Sequence, residues 1–136
     1  MGRTVLLAQL RRQAVGDNRR VADHVELTRA DGQLVCRCRV ATSFASRFRG
    51  LMGLAQLPPG SGLLLPRTSS VHTHFMRFSI DVVFLDSERR IVSVVRALRP
   101  WRLAAAKAAA SVLELAAGEC ARLELAEGDV LREVAR

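Results

Sequence analysis

The chain has 136 residues, close to half of them hydrophobic and a quarter charged, with a net charge of +8. That suits one globular domain with a core of its own, needing no disulfide or metal staples. It excludes a disordered chain, and the absence of any run of about 18 apolar residues excludes a helical membrane span.

Of the 21 basic residues only Lys107 is lysine, so 20 are arginine. The charge is uneven. Residues 1–102 hold 17 basic and 7 acidic groups, whereas residues 103–136 hold 4 and 6. A basic front attracts anions, but the sequence carries no recognition helix, aromatic stacking platform or Lys/Arg run, so no nucleic-acid partner is expected. No membrane partner is expected either. Val5-Leu6-Leu7-Ala8 is too short for a secretory signal, which makes the cytoplasm the expected location. Cys36, Cys38 and Cys120 are an odd count without zinc spacing, and all three are expected as reduced thiols.

In chain order, residues 1–20 read as an N-terminal arm and residues 21–136 as a single β-rich domain. Val21 to Arg29 and Leu34 to Ala41 flank Asp31-Gly32, a strong hairpin signal. In the return strand Leu34, Cys36, Cys38 and Val40 alternate onto one apolar face. A helix capped by Thr42 or Ser43 follows, with Phe44, Phe48, Leu51 and Met52 on one stripe and Gly53 as its stop. Residues 62–67 form a buried strand, and the apolar run Ile80 to Leu85 a central one. Ile91 to Leu98 returns. Leu103 to Ala110 is alanine-rich and reads as a short helix or a surface loop. Ser111 to Ala117 is a strand, Gly118 to Leu125 a short helix, and Val130 to Val134 a last strand after the Glu127-Gly128-Asp129 turn. About seven strands without βαβ alternation predict a mainly β fold: a compact antiparallel β-sandwich or partly open barrel with two or three short helices.

The chemistry concentrates in 70–86, SVHTHFMRFSIDVVFLD. If residues 71–78 are extended, His72, His74 and Met76 share one face, a geometry open to a soft metal. Met76 fits a core equally well. Asp81 opens an apolar strand, and Glu114 lies between Leu113 and Leu115 in another. A carboxylate in such a place needs a donor or a function. Asp81, Glu114 and His72 are therefore the candidate acid/base residues, and Arg49 is a candidate anion clamp.

Several of these pieces occur in an order that resembles family 192 of domains of unknown function, a bacterial and archaeal family. They are Arg49-Gly50-Leu51-Met52, Val71-His72-Thr73, Met76-Arg77-Phe78, Ile80-Asp81-Val82-Val83-Phe84-Leu85-Asp86, Arg99-Pro100-Trp101-Arg102, Val112-Leu113-Glu114-Leu115-Ala116-Ala117-Gly118 and Gly128-Asp129. The resemblance covers about residues 25–134. It implies a small mainly β domain and no established reaction. Its motif positions are Arg49, Gly50, Met52, Met76, Asp81, Glu114, Gly118 and Asp129, with His72 in part of the family and His74 a departure from it.

The expectation is thus a binding module for a small polar or anionic ligand. Its pocket gathers Arg49, Gly50, Met52, His72, Met76, Asp81 and Glu114, and no cofactor is expected. The alternatives are a hydrolase-like enzyme using a His/carboxylate pair and a copper or zinc site of His72, His74 and Met76.

Overall fold

A computed structural model describes residues 24–41 and 56–134. The expected arm, the helix after Thr42, and Arg49, Gly50 and Met52 lie outside the described residues. Nine strands and one short helix make up the rest: β1 (His24–Thr28), β2 (Leu34–Val40), β3 (Ser61–Pro66), β4 (Ser70–His72), β5 (Ile80–Leu85), β6 (Ile91–Leu98), β7 (Leu103–Ala105), β8 (Ser111–Ala116), α1 (Glu119–Arg122) and β9 (Arg132–Val134). Seven of them form one sheet in the order β6-β5-β8-β3-β2-β1-β9, and β4 pairs with β7 in a second. The large sheet is mixed. All its pairs are antiparallel except β2 and β3, which run parallel and are joined by residues 41–60.

The fold is mainly β, and the large sheet curls without closing. Its two edges meet at one bridge, between Arg90 and Val130. There the Ile91 N–H donates to the Asp129 carbonyl at 2.7 Å, and Arg89 pairs with Glu133 at 3.3 Å. Leu27, Cys36, Leu64, Val83, Leu85, Leu113 and Leu115 fill the concave side, together with Cys120 and Leu123 of the α1 region. The convex side of β3, β5 and β8 carries Leu63, Leu65, Ile80, Val82, Phe84 and Val112, covered by Val71 of β4 and by Met76. These three strands bury both faces, which is why they read as mainly apolar runs, interrupted by Asp81 and Glu114, rather than alternating ones.

Local chemistry sets the turns. Gly32 takes φ +90°, and Asp31 Oδ1 accepts from the Gln33 N–H at 2.9 Å, as the Asp-Gly signal predicts. Gly128 takes φ +97°, and Asp129 Oδ2 accepts from the Ala126 N–H at 3.0 Å, so Asp129 is a turn-closing residue. Gly62 marks a close approach of β3 to both its neighbours. A Cβ there would lie 3.0 Å from Leu115 Cδ2 and 3.1 Å from the Glu114 carbonyl.

Four expectations are corrected. Leu103 begins a strand, not a helix, because 103–105 finds hydrogen-bonding partners in 70–72. The apolar face of β2 carries Cys36, Cys38 and Val40 as the alternation predicts, but not Leu34. Thr28 pairs with Leu34 and Leu27 with Cys36, so Val35 is the extra residue of a bulge. The bulge shifts the alternation, burying Val35 and leaving Leu34 43% exposed. Cys36 and Cys38 are not reduced. Standing on the same face two residues apart, they are joined as a disulfide, and Cys120 alone is a free, buried thiol. Finally, residues 71–78 are not one extended run. The strand ends at His72, and residues 74–75 turn, with Phe75 at φ +66°.

Candidate functional site

The large sheet divides the predicted site residues between its two faces. In β5, Ile80, Val82 and Phe84 point to the convex side and Val83 and Leu85 to the concave side, so Asp81 points to the concave side. Val82 pairs with Glu114 and Asp81 with Leu115. Directly opposed residues share a face. Glu114 therefore projects to the convex side, and the two carboxylates stand on opposite sides of the sheet. They do not form an acid/base pair with each other, and the single pocket expected from the sequence does not gather both.

Asp81 is 1% exposed and well supplied with donors. Ile80 pairs with Leu98 and Val82 with Val95, so Arg96 and Ala97 together oppose Asp81 at a bulge. Ala97 adopts φ +51° there, and its N–H, which the ladder leaves over, donates to Asp81 Oδ1 at 2.8 Å. Asp81 Oδ2 accepts from the Gly118 N–H at 3.1 Å and the Cys120 N–H at 2.9 Å. Gly118 stands at φ +96°, a conformation that suits glycine. One carboxylate thus ties the bulge in β6 to the start of α1. Beside it, burial and then the Asp81 charge push the Cys120 thiol up to about 12, which leaves it protonated and inert as a nucleophile.

Glu114 is the opposite case. It is 3% exposed, flanked by Leu63 on β3 and Val82 on β5. Its Oε1 has no hydrogen-bond partner among the described residues. Burial pushes its carboxyl up to about 8, so it is mostly protonated at neutral pH. Met76, 5% exposed, lies in the same convex layer.

His72 stands elsewhere. Val71 faces the convex core, so strand alternation puts the His72 side chain on the outer side of the small sheet. It stacks on His74 with ring centroids 5.0 Å apart. Burial, then the His74 charge, lowers its pKa. The shared face for His72, His74 and Met76 is corrected: the turn sends Met76 into the core while the two imidazoles stack at an interplanar angle of 28°.

The sequence does not announce what surrounds those imidazoles. His74 contacts Trp101 at 5.2 Å, and Trp101 contacts Phe75 edge-on at 4.7 Å. Buried Thr73 organises them. Its N–H donates to the Arg102 carbonyl at 2.9 Å and its carbonyl accepts from the Trp101 N–H at 3.0 Å. Its hydroxyl donates to the Arg99 carbonyl at 2.6 Å and accepts from the Arg102 N–H at 2.9 Å. The one signal in the sequence is a lone tryptophan between arginines in a chain with few aromatics.

A mainly β domain with a curled mixed sheet and a two-stranded flap is the class these features define. The family model DUF192 (Uncharacterized ACR) matches residues 26–133, and the chain belongs to that family. It is 39% identical over 98 residues to a UPF0127 protein of Thermococcus sibiricus, across 68% of this chain and 63% of the relative, so the match spans under two thirds of that protein's length. Among solved structures it is similar to a protein of unknown function from Novosphingobium aromaticivorans. The TM-score is 0.70 and the identity 23%, covering 80% of this chain and 83% of that one, a likeness of fold alone. It is also similar to a Sinorhizobium meliloti protein described as a candidate transcription regulator, with TM-score 0.72 and 25% identity over 81% of this chain and 92% of that one. No helix among the described residues is long and apolar enough to cross a membrane.

Proposed function

We propose that the protein is a binding module for a small polar ligand, and that the Glu114 carboxyl is the group that engages it. What supports the reading is one observation: a carboxyl nearly closed off from water whose Oε1 meets no donor among the described residues. Such a group costs stability, about 1–3 kcal/mol for an unmet hydrogen bond, and a costly group in a core is a reason to look for function. Held neutral, Glu114 offers one O–H donor beside one acceptor. The complementary ligand groups are a carboxylic acid or carboxylate and a primary amide. A neutral Glu114 does not repel an anion, which agrees with the net charge of +8. Met76 would supply apolar contact in the same layer, while Asp81 and His72, placed elsewhere, would take no part.

Native mass spectrometry of protein purified without chelators or organic acids tests this. The expected result is a co-purifying small molecule, or a thermal shift with simple carboxylates and amides, retained in part by Glu114→Gln and lost in Glu114→Leu. If wild type carries nothing, shifts with nothing, and Glu114→Leu is simply more stable, the reading fails.

The cytoplasm is part of the same proposal. Free Cys120 suits a reducing compartment, whereas the Cys36–Cys38 bond is not what such a compartment usually maintains. A thiol count on protein trapped in acid from intact cells tests it: three free thiols, with the Cys36–Cys38 bond open in the cell, support the cytoplasm, and one free thiol contradicts it.

A further inference from the structure

We propose that the ring cluster of His72, His74, Phe75 and Trp101, with Arg99 and Arg102 beside it, is a stacking platform for single-stranded nucleic acid. The proposal does not depend on the Glu114 reading, because the cluster stands on the outer side of the small sheet. Four rings run in unbroken contact, at centroid distances of 5.0, 5.2 and 4.7 Å. Although large and apolar, Phe75 is 62% exposed and Trp101 55%. Both adopt left-handed backbone, at φ +66° and +65°. A non-glycine residue pays for that conformation, about 1–2 kcal/mol each, unless its surroundings enforce it. Here the carbonyl of buried Thr73 holds both turns, accepting from the Trp101 N–H at 3.0 Å and, across Phe75, from the Met76 N–H at 3.2 Å. The fold therefore holds two exposed aromatic side chains on enforced left-handed backbone.

Charge indicates the partner. The segments 70–79 and 98–107 that build the cluster carry Arg77, Arg99, Arg102 and Lys107, and no acidic residue. A second copy of a chain this basic would be repelled. The only helix among the described residues has four residues, too short to read a duplex groove. An anion that also presents flat rings matches both features at once. Single-stranded nucleic acid does so, with bases stacking on rings and phosphates meeting guanidinium groups. The sequence could not reveal the platform, since its rings come from two segments more than 20 residues apart, brought together by the pairing of β4 with β7.

Trp101 is the only tryptophan, so its emission reports on the platform directly. In a titration with a 12-residue oligothymidylate at low salt, the expected result is quenching of Trp101 fluorescence with saturable binding. Phe75→Ala, at an exposed position, and His74→Ala, at a half-buried one, should each weaken binding about tenfold. The double variant Arg99→Ala/Arg102→Ala should weaken it and flatten the plot of log affinity against log salt by about 0.7 for each phosphate no longer neutralised. Glu114→Gln should leave binding unchanged. Absence of quenching at low salt, or binding by Phe75→Ala equal to wild type, would overturn the proposal. So would equal binding of polyglutamate, which would mark the patch as a site for an acidic protein instead.

Discussion

Asp81 and Glu114 are carboxylates one residue pair apart on adjacent strands, both closed off from water, and their surroundings differ in nearly every other respect. Asp81 sits where β6 bulges and α1 begins, two places that leave backbone N–H groups without ladder partners, and three of these converge on it. Glu114 sits between regular stretches of β3 and β5, where the backbone donors are already used in the sheet, and no donor among the described residues reaches its Oε1. Burial alone therefore does not say what a carboxylate is for. The supply of spare backbone donors around it does.

That contrast is easiest to break by removing each side chain in turn. Asp81→Ala strands three buried N–H groups at about 1–3 kcal/mol each, and is expected to cost at least about 3 kcal/mol in denaturant unfolding. Glu114→Leu of similar volume should be neutral or stabilising by about 1 kcal/mol at pH 6. Equal losses from the two would end the distinction.

The next effect is a pH dependence. The folded-state pKa of Glu114 is raised, from 4.5 to about 8. As pH climbs past 4.5 the unfolded chain ionises this group while the folded chain does not. Stability is therefore highest below that value and falls until pH reaches about 8, by up to ~1.4 kcal/mol per pH unit. Urea unfolding of wild type and Glu114→Gln between pH 5 and 9 should show the gap between them shifting in favour of the variant as pH rises. A constant gap would mean the carboxyl is solvated or paired.

Two smaller effects sharpen the Asp81 side. Gly118→Ala places a side chain at φ +96° and should cost about 1–2 kcal/mol in thermal unfolding. Cys120, its thiol held up near 12 beside Asp81, should resist iodoacetamide in the native state and react on unfolding. Rapid native labelling would show that the α1 region opens easily.

Much of the fold was legible in the sequence. The Asp31-Gly32 hairpin, the runs 80–85 and 111–116 and the Gly128-Asp129 turn are local signals, and local chemistry decides them. Leu103 misled because alanine-rich segments follow whatever partner tertiary structure offers, here β4. The Val35 bulge depends on register against β1, which alternation within one strand does not carry. Asp81 and Glu114 were recognisable as buried carboxylates from their apolar flanks. Their placement on opposite faces follows only from the β5 to β8 register, and the ring cluster only from the pairing of two distant segments.

At physiological pH Glu114 is held as a neutral carboxyl whose Oε1 meets no donor among the described residues. A carboxyl 13C titration by NMR, assigned with Glu114→Gln, measures it directly. One resonance titrating near pH 8 and missing in the variant is expected; a Glu114 midpoint between 4 and 5 would show an ordinary, ionised carboxylate instead.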